Sequence, residues 1–142
     1  MSHSGIITLL HRVQQMVDER FTETVTIEDL TIRQLQVLTA IEHEPGATQT
    51  DLVNFTGIDR STLAEMVKRL SRRGLIERRR SKSDLRANLV RLTDAGRRHL
   101  AAGAPTLLGV EKSLLGALSS DERAQLLSIL DRIVSRKIAS VD

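Results

Sequence analysis

The 142-residue chain has no cysteine, which excludes disulfides, thiolate metal ligands, cysteine nucleophiles and thiol redox sensing together. Aromatic residues are almost as scarce: Phe21 and Phe55 stand alone, without tyrosine or tryptophan. The stacking platforms of single-stranded nucleic-acid binders therefore have almost no material, and any nucleic-acid partner is expected to be a duplex. No apolar run approaches the ~18 residues that cross a bilayer. The opening MSHSGIITLLHRVQQMVDER has acidic residues and periodic apolar spacing where a signal peptide has a basic head and a uniform apolar stretch. The expectation is a cytoplasmic protein with no membrane partner. A Gly-rich phosphate loop, paired carboxylates in apolar settings and a usable Ser/His/Asp arrangement are all missing, so neither enzymatic activity nor a cofactor is expected.

What the chain does have is positive charge gathered in one place. With 40% hydrophobic and 27% charged residues, it reads as a single domain over residues 1–142 that buries its own core. The net charge of +3 hides an uneven distribution. From Arg60 to His99 there are thirteen Lys/Arg against four Asp/Glu, whereas the remainder holds eight basic and fourteen acidic groups. A basic middle between acidic flanks suggests a polyanion partner, the alternative being a solvated charged face.

Apolar periodicity places the elements. Ile6, Leu9, Leu10, Val13, Met16 and Val17 recur at helical spacing, predicting a helix over 5–21. A second helix starts at Thr31, where Thr31 and Gln34 have capping-box spacing, turns Leu35, Leu38 and Ile41 inward, and stops at Glu44 to Gly46. Thr48 and Asp51 open a short third helix closed by Gly57; Asp59 caps a fourth that Gly74 ends. On the fourth, Leu63, Met66, Val67 and Leu70 form one stripe, with Ser61, Glu65, Lys68 and Arg72 opposite. Helix, tight turn and helix make a helix-turn-helix whose second helix is the reader. LIERRR and ANLVRL then switch to strand periodicity around SKSDLR, predicting a two-stranded β wing with Ser81 to Arg86 at its tip. Thr93 caps the next helix, which Pro105 either kinks or divides. Ser119 and Glu122 form a capping box before the apolar stripe Leu126, Leu127, Leu130, Ile133, Val134 and Ile138, generous for a monomer of this size. The fold class is mainly α (α+β): a winged helix-turn-helix.

From Leu30 to Leu100 the chain resembles the MarR family of bacterial transcription regulators. The most specific parts are the GIDRST turn, RLSRRGLIERR, the Asp84-x-Arg86 pair of the wing and LTDAGRRHL. The resemblance implies a DNA-binding part over 30–92 and dimerisation helices over 1–21 and 94–142. It further implies a homodimeric repressor or activator on double-stranded DNA, each wing in a minor groove. Family members often answer to small aromatic or phenolic acids, so a small-molecule effector is the remaining expected partner.

Facing and the resemblance together nominate Arg60, Ser61, Thr62, Glu65, Lys68 and Arg69 for the major groove, with Arg72 and Arg73 placed for phosphates. Thr48, Gln49 and Thr50 open a helix whose donors suit a phosphate, capping being the plainer role. In the wing, Arg86 resembles the family's minor-groove arginine, with Asp84 steadying it. The family carries Asp-Arg-Arg where this chain has Leu85 in the middle; Lys82 is positioned to compensate. For the effector, His11, Arg12 and Arg20 lie near apolar residues, an arginine clamping a carboxylate. Two rival readings remain. A winged helix used for protein contact would tolerate alanine at Ser61, Glu65 and Lys68. A metal sensor would recruit His11, Glu42, His43, Glu44 and His99, but no His pair has ligand spacing and no metal is expected.

Overall fold

The computed structural model describes residues 5–23, 30–83 and 88–136. Among these, six helices surround a small antiparallel sheet: α1 (Ile6–Glu23), α2 (Ile32–His43), β1 (Ala47–Thr48), α3 (Gln49–Thr56), α4 (Arg60–Arg72), β2 (Ile76–Arg80), β3 (Asn88–Leu92), α5 (Asp94–Leu114) and α6 (Ser120–Ser135). Asp84, Leu85, Arg86 and Ile138 lie outside the described residues.

Local capping chemistry starts each element of the helix-turn-helix. The Gln34 amide donates to Thr31 Oγ1 at 3.1 Å and the Thr31 amide donates to Gln34 Oε1 at 3.0 Å. The same reciprocal pair joins Thr48 to Asp51 at 3.0 and 2.9 Å. Ser119 and Glu122 repeat it at the head of α6. Each box satisfies two helix-start donors that would otherwise lack a partner. Gly57 ends α3 at φ +70°, a left-handed conformation that a side chain would strain. At the other end of α4, Gly74 donates to the Ser71 carbonyl and Leu75 to the Leu70 carbonyl, both at 3.0 Å. Leu70 and Leu75, both buried, meet beneath this closure.

The expected two-stranded hairpin of the wing is present, as part of a three-stranded sheet. β2 and β3 pair antiparallel with Ile76 opposite Leu92 and Arg80 opposite Asn88, but β1 adds a third strand in the order β1-β3-β2. The reason lies in Thr48, whose extended backbone at φ −81°, ψ 165° suits an N-cap and a strand at once. Its side chain caps α3 while its backbone lies beside Leu89. Two residues are too few for a period-two pattern to announce the strand.

Every buried apolar side chain among the described residues lies between Leu30 and Leu92, with Leu35, Leu38, Leu52, Leu63, Val67, Leu70 and Val90 fully inaccessible. Phe55, by contrast, is exposed at the end of α3. α5 is one continuous helix with Pro105 inside it, on an exposed position. Its head is joined to the end of α4: the Thr93 amide donates to the Leu75 carbonyl at 3.1 Å and the Thr93 hydroxyl to the Gly74 carbonyl at 2.6 Å. Gly96 packs directly on that turn, where an added Cβ would stand 2.0 Å from the Leu75 carbonyl oxygen. One exposed ion pair, Arg33 to Asp18 at 3.8 Å, joins α2 to α1, and another, Arg123 to Glu111 at 3.8 Å, joins α6 to α5. Among the described residues no helix is long and apolar enough to cross a membrane.

Candidate nucleic-acid interface

α4 has two faces with opposite chemistry. Leu63, Val67 and Leu70 are fully buried and anchor the helix in the core, whereas Arg60, Ser61, Thr62, Glu65, Lys68, Arg69, Arg72 and Arg73 are all exposed. The stripe read from the sequence is thus the stripe that faces inward, Met66 being half-buried at its margin.

The exposed side chains are not independent. Asp59, the N-cap, accepts from the Thr62 amide at 2.9 Å, the Ser61 hydroxyl at 2.9 Å and the Thr62 hydroxyl at 2.7 Å. The Thr62 amide first, then the two hydroxyls, hold its carboxyl at about 2, below the ordinary 3.8. Arg60 reaches back to donate to the Thr50 hydroxyl at 3.2 Å, tying the starts of α3 and α4 together. Arg69 pairs with Glu65 at 3.5 Å, one helical turn apart. Lys68, Arg72 and Arg73 complete the exposed cationic row.

Thr48 is occupied by its own helix: its hydroxyl accepts from Asp51 and its amide donates to the Asp51 carboxylate. Thr48 and Gln49 are half-buried, and Thr50 is the exposed member of the three. Lys82 is exposed at the base of the wing loop, next to Ser81, whose hydroxyl accepts from the Ser83 amide at 3.2 Å. Asp84 and Arg86, expected at the wing tip, fall outside the described residues.

The strand β2 contributes cations that the sequence reading left unassigned. Glu77 stands opposite Arg91, and strand alternation puts Arg79 on their face of the sheet and Arg78 with Arg80 on the other. Arg78, Arg79 and Arg80 are all exposed. The signal was available as three consecutive arginines in a strand whose neighbours alternate.

An open groove of about 460 Å³ runs between the start of α2 and the length of α4, lined by Thr31, Arg33 and Gln34 on one side and Ser61, Thr62, Glu65, Met66 and Arg69 on the other. His11, Arg12 and Arg20 do not line it; all three are exposed on α1, and at 100° per residue they spread over roughly half its circumference. His99 donates Nδ1–H to the Ala95 carbonyl at 2.8 Å, so its ring is engaged within α5. Among the described residues no group of three His, Asp or Glu side chains is arranged to hold a metal ion.

A helix-turn-helix with its second helix exposed along a cationic face, followed by a β wing, defines a winged-helix transcriptional regulator. Residues 28–87 match the model of the MarR family. The chain is 34% identical over 109 residues to the transcriptional regulator HosA of Escherichia coli, covering 77% of this chain and 81% of HosA. It belongs to the MarR family, and the relatives it matches are named as regulators of transcription. The PcaV transcriptional regulator of Streptomyces coelicolor, solved in complex with its natural ligand, is 34% identical, with a TM-score of 0.73 and coverage of 95% of this chain and 98% of PcaV. The transcriptional repressor CouR, solved bound to a 23-mer DNA duplex, is 37% identical, with a TM-score of 0.73 and 93% of both chains covered.

Proposed function

We propose that the protein binds double-stranded DNA as a homodimeric repressor on a palindromic operator, with α4 in the major groove and the wing beside it. The observation that carries this is the division of α4, whose apolar face is fully buried while its basic face is exposed. On the site side, Arg60, Ser61, Thr62, Glu65, Lys68 and Arg69 meet base edges, and Arg72, Arg73, Lys82 and Thr50 meet phosphates, with Gln49 and Thr48 behind them. Asp84 and Arg86 act at the minor groove, and one arginine of α1, Arg12 or Arg20, meets a small anionic effector, since with His11 the three spread over roughly half of that helix and do not converge. CouR with DNA and PcaV with a ligand support both halves of this reading.

Residues 30–92 form the DNA-binding part, and 1–21 with 94–142 form the dimerisation part. α1 leaves Ile6 77% and Ile7 67% exposed, and α6 leaves Leu127 71% and Val134 78% exposed. Such contiguous apolar faces belong against a partner, and a second copy related by a two-fold axis sets the two α4 helices about one DNA turn apart, roughly 34 to 36 Å. The paired change Leu130→Glu and Val134→Glu is expected to give a monomer in sedimentation velocity at micromolar concentration; an unaltered dimer contradicts this interface.

Selection from a random duplex pool tests the DNA reading. The wild type is expected to enrich an inverted repeat. The double variant Arg72→Ala, Arg73→Ala is expected to bind every sequence more weakly and to lower the salt slope by about 2 per protomer. A pool returned without enrichment, or a double variant with unchanged affinity, overturns it.

A further inference from the structure

The two hydroxyls at the start of α4 are oriented by the residue before them. Asp59 is exposed and ionised, its carboxyl held down at about 2 by its hydrogen bonds, so at working pH it can only accept. Ser61 Oγ at 2.9 Å and Thr62 Oγ1 at 2.7 Å must then each donate their single proton to it. What each hydroxyl has left for an outside partner is lone pairs.

We infer that Asp59 is a specificity-determining positioning residue that presents Ser61 and Thr62 to DNA as hydrogen-bond acceptors, so that this end of α4 reads the exocyclic amines of adenine or cytosine. The inference rests on the DNA-binding reading above. Phosphate oxygens only accept, and so do the guanine N7 and O6 and the thymine O4 in the major groove; adenine N6 and cytosine N4 are the donors there. A hydroxyl whose proton is committed can bond to neither phosphate nor guanine, and the carboxylate charge behind it repels phosphate further. Glu65, one turn on, is also acceptor-only and sits on the same exposed face. The start of the reading helix therefore offers acceptors, and the cations Lys68 and Arg72 farther along supply donors.

The test uses the full chain and base analogues. Selection with the wild type, Ser61→Ala and Thr62→Val identifies the base pairs whose preference relaxes when a hydroxyl is removed. At those pairs the amine is then deleted, adenine replaced by purine or cytosine by 2-pyrimidinone, and separately purine N7 is deleted with 7-deaza bases. The wild type is expected to lose about tenfold in affinity with each amine, the worth of one well-formed hydrogen bond, and nothing with N7. Asp59→Asn keeps an acceptor for the Thr62 amide, so the helix cap and thermal midpoint survive. Its oxygen goes on accepting from the Thr62 amide and the Ser61 hydroxyl, so only the Thr62 hydroxyl faces the new NH2, accepts from it and turns its proton outward. At the Thr62 base pair the variant should therefore also tolerate guanine or thymine, whereas the amine penalty at the Ser61 pair stays. A penalty for N7 in place of the amine overturns the inference, as does an Asp59→Asn profile identical to wild type; both leave DNA binding standing. A wild type that binds no duplex removes the inference and its foundation together.

Discussion

Raising monovalent salt from 50 to 200 mM is expected to weaken the complex with operator DNA by about three to five orders of magnitude. The thirteen Lys/Arg between Arg60 and His99 include the exposed Lys68, Arg72 and Arg73 of α4 and the exposed Arg78, Arg79 and Arg80 of β2. Two protomers together can neutralise roughly 6 to 10 phosphates, and each contact releases condensed counterions, giving a slope of log affinity against log salt near −5 to −9. Internal pairing trims the total: Arg69 is shared with Glu65, and Asp59 puts a negative charge at the head of the reading helix. Fluorescence anisotropy of a labelled operator across a KCl titration measures the slope directly. A slope near zero would leave the basic segment as a solvated face with no polyanion on it.

Replacing Gly96 with alanine is expected to cost about 3 kcal/mol or more of stability and to lower the melting midpoint by roughly 10 °C. The new methyl would sit 2.0 Å from the Leu75 carbonyl oxygen, and neither side can retreat easily. Leu75 is fixed by its bond from Thr93 and by the closure of α4 onto Leu70, and the neighbouring Gly74 carbonyl is held by the Thr93 hydroxyl. Gly103→Ala provides a graded comparison, since its methyl would meet the Leu35 side chain at 2.5 Å instead of backbone. Side chains repack where carbonyls do not, so its cost should be about 1 to 2 kcal/mol. Thermal unfolding followed by circular dichroism ranks the two; equal midpoints would mean that the α4–α5 joint is looser than its geometry indicates.

Much of the architecture was legible because its signals are local. Thr31 with Gln34, Asp59 alone and Ser119 with Glu122 announce helix starts within four residues, and the structure has a cap at each. The facing of α4 follows from 3.6-residue periodicity and needs no tertiary information. β1 was illegible for the opposite reason: Ala47 and Thr48 are a strand only because β3 lies beside them, some forty residues on. Pro105 left two outcomes open, and the chain takes the continuous helix.

At the site, residue types were readable but their bonding was not. Ser61 and Thr62 stood out as exposed hydroxyls at the reader's start, yet the direction of their protons depends on the Asp59 carboxylate bending back over the helix end. Arg69 was nominated for base contact without its Glu65 partner. Arg78 to Arg80 were counted as charge and not as a surface, because the register that separates their faces emerges only from pairing with β3. His11, Arg12 and Arg20 lie along one helix in sequence but point around it in space.

The backbone joint at Thr93 has a mechanical corollary. α5 has 21 residues and so forms a rod of roughly 30 Å. A swing of about 10° at its far end therefore carries its head sideways by about 5 Å, and the welded tip of α4 travels with it. Any reorientation of α5 reaches the end of α4 through the two hydrogen bonds of Thr93, at 3.1 and 2.6 Å, and not through side-chain packing alone.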